Sequence, residues 1–305
     1  MSDQTRVLLW TLSRTCSTIL LKSLSNIPDS QMIFELYTSA NIYGPDRREQ
    51  TTYPDRITHP EPTYEGIELD ANGLLKGPGS GFKSSICSFE WVKRQLEADY
   101  QGKKVIIAKE MANFLSWRYH FIPKGYRHMF LIRNPKKVFP SWKKMQIEIS
   151  ELNGRKFELG EPVLDQFPEV VKHGEAYKEI TDLWLHIKEN NLDTDPIIID
   201  SDDLLQNPKE VLSAVCSRVG IPYSDSLLSW EAGVSVVDQW MVSATFKNMM
   251  EHTEFFKNFR NTTCFKKPVH ESEVLDLSTF SPDVQRCIEN SMPYYLKLFE
   301  QRLKY

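Results

Sequence analysis

RVLLWTLSRTCSTILLKSL, residues 6–24, sets three kinds of segment in a row. Residues 7–10 are an unbroken apolar run of strand type. A polar turn follows (Thr11-Leu12-Ser13-Arg14-Thr15-Cys16-Ser17-Thr18), and Ile19, Leu20, Leu21 and Leu24 then fall at helical spacing. A strand, a hydroxyl-rich turn and a helix start aim several backbone N–H groups and the positive end of a helix dipole at one spot. Ser17 and Thr18 suit the helix start and add hydroxyl donors, and Arg14 adds a planar cation. Such a spot binds phosphate or sulfate, although the same residues would also serve an ordinary capped strand-to-helix turn. The nucleotide-triphosphatase pattern GxxxxGK[ST] is absent from the turn. A second glycine-rich piece, residues 77–84, has Phe82 between glycine and lysine and follows no strand, so it reads as a flexible loop.

Outward from this stretch the chain alternates short apolar runs with helical spacing. Residues 32–35, 105–108, 129–132 and 196–199 read as strands, and the continuous apolar runs among them suit a buried parallel sheet. Helices are expected over residues 85–100, 114–121, 175–190, 208–219, 238–251 and 282–303, with another through Val138, Trp142 and Met145. Residues 38–84, rich in Pro, Gly, Asp, Thr and Tyr, read as a long irregular substrate or lid loop. The expected architecture is α/β: a single domain over residues 1–305 with a mainly parallel sheet flanked by helices and a helical part over 223–305. Ligands in such folds bind beyond the carboxyl ends of the strands. Arg14 and Arg133 both lie just past such ends, about 120 residues apart.

The 305 residues suffice for a sizeable core. A net charge of −4 and a pI near 6.0 argue against a general nucleic-acid binder, so any anion site is local. The five cysteines (Cys16, Cys87, Cys216, Cys264, Cys287) are scattered and form no CxxC pair, which suggests neither a disulfide framework nor a zinc site. A reducing compartment, the cytoplasm, fits. No apolar run approaches ~18 residues, so neither a signal peptide nor a membrane span is expected.

Arg133-Asn134-Pro135 leaves a strand and Ser141 lies further along the following helix, an arrangement that could set a guanidinium and a hydroxyl on a second phosphate. Together with Arg14-Thr15-Cys16-Ser17-Thr18, and with Asp202 to Pro208 leading on to Val219-Gly220-Ile221-Pro222, the sequence resembles the sulfotransferases that use 3′-phosphoadenosine 5′-phosphosulfate (PAPS). The resemblance spans residues 6–222 and implies a P-loop-like fold. It implies that Arg14, Thr15, Cys16, Ser17 and Thr18 hold the 5′-phosphosulfate, with Arg14 on the bridging and sulfonate oxygens. Arg133 and Ser141 would hold the 3′-phosphate, and the basic stretch with Lys257 and Arg260 would close over it. Cys16 departs from the family's glycine and would strain the turn if its φ were positive. A redox-active Cys16 is imaginable, a quiet structural thiol the plainer reading.

Sulfuryl transfer resembles phosphoryl transfer in relying on positioning and cations, and it requires no metal. Lys109, directly after a strand, would add a second cation. Met111 stands where cytosolic members carry a catalytic histidine, which leaves Glu110, His120 and His59 as candidate general bases. Tyr37, Tyr43, Tyr53, Tyr64 and Phe82 would line the acceptor. The resulting expectation is transfer of a sulfuryl group from PAPS, leaving the bisphosphate PAP, to a hydroxylated small molecule. A non-catalytic binder of the same fold and a nucleotide-dependent kinase remain as alternatives.

Overall fold

The computed structural model describes residues 4–47, 68–77, 79–152, 154–158, 160–166, 171–267 and 276–305. Its strands are β1 (Thr5–Thr11), β2 (Ser30–Phe34), β3 (Ser80–Phe82), β4 (Val105–Met111), β5 (Arg127–Ile132), β6 (Ile197–Asp200) and β7 (Val242–Ser243). Its helices are α1 (Ser17–Leu24), α2 (Leu36–Ile42), α3 (Phe89–Glu97), α4 (Pro135–Leu152), α5 (Ala176–Glu189), α6 (Ser201–Gln206), α7 (Pro208–Val219), α8 (Ala244–His252), α9 (Lys257–Asn261) and α10 (Pro282–Glu300).

Among the described residues the main sheet has the order β2-β4-β1-β5-β6, and every pairing is parallel. Side chains alternate between the faces of a strand, so each continuous apolar run splits into two cores. Leu8 and Trp10 join Ile106, Ala108, Phe130, Ile132 and Ile198 on one face, under α3, α4, α5 and α10. Val7 and Leu9 join Ile107, Met129, Leu131, Ile197 and Ile199 on the other, under α1, α7 and α8. Each fully buried Leu, Ile or Phe contributes about 1.5–3 kcal/mol, which is why these short strands read so plainly. β3 and β7 form a separate parallel pair, and an isolated bridge between Ile33 and Met241 links β7 to the edge of β2.

Several segments differ from the expectation. Residues 114–121 are not a helix but two single 3-10 turns, Ala112–Phe114 and Tyr119–Phe121. Trp117 lies between them in the left-handed region at φ 58, which a continuous helix does not allow. The glycine-rich piece contains strand β3, whose Phe82 is buried against Trp91. Residues 38–42 belong to α2, so the irregular stretch begins later. α3 starts only at Phe89, where the Ser88 hydroxyl accepts the Trp91 N–H at 3.0 Å. Residues 235–239 are a 3-10 turn and α8 starts at Ala244. His59, Tyr53 and Tyr64 lie outside the described residues.

Candidate active site

The β1–α1 turn owes its shape to two left-handed residues, Arg14 at φ 68 and Cys16 at φ 62. Left-handed residues interleaved with others turn successive N–H groups towards a common concavity. The first N–H groups of α1 have no partner within their helix, and its ladder opens with Leu20 N–H on the Cys16 carbonyl at 3.1 Å. Thr15 does not face this concavity. Its hydroxyl donates to the Leu12 carbonyl at 2.8 Å, and its own carbonyl accepts the Ser201 hydroxyl at 2.7 Å. It fixes the turn against the start of α6.

The two arginine-bearing corners meet. Arg14 Nε donates to the Ser141 hydroxyl at 2.9 Å, and Arg14 Nη1 to the Phe255 carbonyl at 3.0 Å. Arg133 Nη1 donates to the Arg14 carbonyl at 3.3 Å. Arg133 Nε lies 3.6 Å from Asp202, which also takes Lys137 at 2.8 Å, and that buried Nε makes no hydrogen bond. Burial lowers the Arg14 pKa from its ordinary value, with the Arg133 charge adding to the effect. Burial likewise pushes the Cys16 thiol up, against the pull of both guanidiniums. That shift runs opposite to the one that activates a thiol.

A cleft opens over the carboxyl ends of β1, β2 and β4. Its floor holds Ser13, Arg14, Ser17, Thr18, Glu35 and Lys109, and its walls include Tyr43, Phe114, Trp142, Met145, Phe246, Phe255 and Phe256. At one end of the floor Glu35 and Lys109 form a buried ion pair. Lys109 also lies over the Phe34 ring, 4.8 Å from its centre. Glu35 sits left-handed at φ 50 just before α2, with its N–H on the Lys109 carbonyl at 2.8 Å. The sequence reading missed this residue. The one positional hint, shared with Arg133, is that it directly follows a parallel strand.

Glu110 is corrected by the same geometry. It is adjacent to Lys109 on β4, and strand alternation sends it to the opposite face. Fully buried, it accepts the N–H groups of Leu36 at 2.8 Å and Tyr37 at 3.0 Å, capping α2. Burial, and then the charge of Glu35, push its pKa up to about 8. It does not line the cleft. Nor does His120, which is exposed, packs its ring on Phe121 at 4.1 Å and gives its carbonyl to Lys93. Lys257 is exposed and pairs with Glu254 at 3.1 Å. Arg260 donates to the carbonyls of Met250 and Thr253 at 2.9 and 2.7 Å, closing the turn between α8 and α9. Of the expected acceptor residues Tyr43 lines the cleft, whereas Phe82 is core and Tyr37 is core with its hydroxyl on the Phe121 carbonyl at 2.5 Å.

One wall is strapped in place. The Glu148 carboxylate of α4 accepts the N–H groups of Glu254 and Phe255 at 2.6 and 3.0 Å, while Arg14 holds the Phe255 carbonyl. Among the described residues no cluster of His, Cys, Asp and Glu is placed to hold a metal, and no helix is long and apolar enough to cross a membrane.

Comparison with known proteins bears on this arrangement. A sulfotransferase-domain family model matches residues 189–261, from the end of α5 through α9. The solved sulfotransferase domain of the Synechococcus PCC 7002 olefin synthase aligns over 100% of this chain and 98% of its own, with a TM-score of 0.51 and 13% identity. The chain has the sulfotransferase fold. The fold expected from the motifs is thus borne out, and the family model that matches is that of a sulfotransferase domain. Among curated proteins, the branched-chain-amino-acid aminotransferase-like protein 2 of Arabidopsis thaliana is 34% identical over 107 residues, 35% of this chain and 15% of that protein. Its counterpart, protein 1, is 29% identical over 129 residues, 42% of this chain and 19% of that protein. The sulfotransferase-like chain therefore aligns with under a fifth of either relative's length.

Proposed function

We propose that the protein transfers a sulfuryl group from PAPS to a hydroxyl of a small-molecule acceptor. The observation that carries this reading is the 2.9 Å bond from Arg14 to Ser141, which joins two anion-binding motifs 127 residues apart. The residues fit the donor: a concave turn of N–H groups at a helix start, a desolvated Arg14, and a buried Arg133 Nε without a hydrogen bond. Five free thiols suit a reducing compartment such as the cytoplasm.

In this reading the N–H groups and hydroxyls of Ser17 and Thr18 hold the 5′-phosphate, and Arg133 with Ser141 holds the 3′-phosphate. The donor supplies an activated sulfur–oxygen bond whose bridging oxygen departs with negative charge. Arg14 lies where that charge collects and Lys109 neutralises the sulfuryl oxygens. Glu35, placed by the buried pair beside Lys109, takes the proton of the acceptor hydroxyl as its oxygen bonds to sulfur. Glu110 has no part in the reaction.

Thermal stabilisation by adenosine 3′,5′-bisphosphate, set against ATP-magnesium, tests this. The bisphosphate is expected to stabilise the wild type, and Arg14→Ala to weaken it about 10- to 100-fold, the worth of a charge-assisted hydrogen bond. Glu35→Gln should keep the bisphosphate shift and lose turnover about 100-fold or more. Stabilisation by ATP-magnesium alone, or an unchanged affinity in Arg14→Ala, would overturn the donor assignment. Bisphosphate binding without transfer to any alcohol or phenol would favour a non-catalytic binder, a reading to which the strained Cys16 also lends weight.

A further inference from the structure

The acceptor end of the cleft holds a buried polar atom that no other described residue satisfies. Thr38, on α2 one turn beyond Glu35, lines the cleft, is 3% exposed, and its hydroxyl makes no hydrogen bond. Buried hydroxyls are almost always paired, because leaving one unpaired forfeits its hydration for nothing. One that lines a cavity marks a bond that a ligand completes. Away from the β1–α1 turn, the charged and amide side chains of the lining are Glu35, Lys109 and Gln146, and the Tyr43 phenol lines it too. Around them stand Ile42, Met111, Phe114, Phe246 and Met249 and the ring of Tyr43.

We propose that Thr38 hydrogen-bonds the acceptor hydroxyl, and that the acceptor is an apolar alcohol or phenol presenting that hydroxyl at one end, not a sugar. This rests on the sulfuryl-transfer reading above. An alcohol oxygen offers one proton and two lone pairs. Glu35 takes the proton, one lone pair bonds to sulfur as the sulfur–bridging-oxygen bond breaks, and the other accepts the Thr38 O–H. A sugar would bring several further hydroxyls against a largely apolar lining whose remaining polar side chains, away from the turn, are Tyr43, Trp142 and Gln146.

The experiment uses Thr38→Val, which keeps the shape and removes the hydroxyl, beside Thr38→Ser, which keeps the hydroxyl. Turnover is measured at saturating PAPS with 1-octanol, a substituted phenol and glucose. The wild type should prefer the first two at least tenfold in kcat/KM. Thr38→Val should lose 10- to 100-fold in kcat/KM while Thr38→Ser stays within a few-fold, and both should keep the wild-type bisphosphate shift. Without ligand, Thr38→Val should melt roughly 2 °C higher, because an unpaired buried hydroxyl is gone. Wild-type turnover in Thr38→Val with the bisphosphate shift intact, or a preference for glucose, overturns this proposal alone. A wild type that does not bind the bisphosphate overturns the donor reading and this proposal with it.

Discussion

Cys16 stands at φ 62 in the turn that the site is built on. A Cβ in the left-handed region crowds the following carbonyl and costs about 1–2 kcal/mol, which glycine avoids. Cys16→Gly and Cys16→Ala both remove the thiol, but only glycine relieves the backbone. In chemical denaturation Cys16→Gly should be the more stable of the two by about 1 kcal/mol. Equal stabilities would mean that the turn relaxes freely around the side chain. At this scale the meeting of the two arginine corners was legible: Arg14, Arg133 and Ser141 lie in motifs with fixed spacing from strand ends. Glu35 was not, because one acidic residue after a short strand has no spacing signature. Which of Lys109 and Glu110 faces the cleft hung on strand parity, and the register that sets it, Leu9 opposite Lys109, depends on a strand about 100 residues away.

α2 shows what an element can hide. It is a seven-residue helix whose opening N–H groups are satisfied by the carboxylate of Glu110, reaching from the neighbouring strand. No local cap signal precedes it, and residues 38–42 were read as the start of a loop. The cap is also titratable. With a folded pKa of about 8 against the ordinary 4.5, the folded protein holds this proton across a range where the unfolded chain has released it. Glu110's contribution to stability is therefore complete below about pH 4.5 and is lost as pH rises through about 8. Denaturation of Glu110→Gln between pH 5 and 8 should show a flatter fall in stability than the wild type. An identical slope would show that Glu110 is already ionised in the folded protein. The strands were easier to read than α2, since being apolar on both faces is a property of the segment itself. β3 pairs only with the distant β7, and its own glycine-rich residues argue for a loop.

Across the whole molecule, α10 closes one face of the sheet through an ionic joint. Asp283, at its start and fully buried, takes Lys143 of α4 at 2.9 Å and the Leu164 N–H at 3.1 Å. Removing one partner of a buried pair leaves the other charge without compensation, a loss of about 3–5 kcal/mol. Asp283→Ala should therefore lower Tm by about 10 °C. A shift below about 2 °C would mean that the serine hydroxyl of Ser281, 2.8 Å from Lys143, is compensation enough. The helical tail was legible from its amphipathic spacing. This joint was not, because its partners lie 140 residues apart.

The strand order has a consequence for how such a molecule can change. β1 is central, with β4 and β2 to one side and β5 and β6 to the other. Glu35, Thr38 and Lys109 belong to the first flank; Arg133 and Ser141 belong to the second, and the turn after β1 is the hinge of custody between them. In the reading proposed above, Ile42, Tyr43 and Phe114, with the overhanging Phe246, form the acceptor wall on the first flank, and Trp142 and Met145 of α4 face them from the second. Acceptor choice can be retuned at the first flank's residues without touching Arg133 or Ser141.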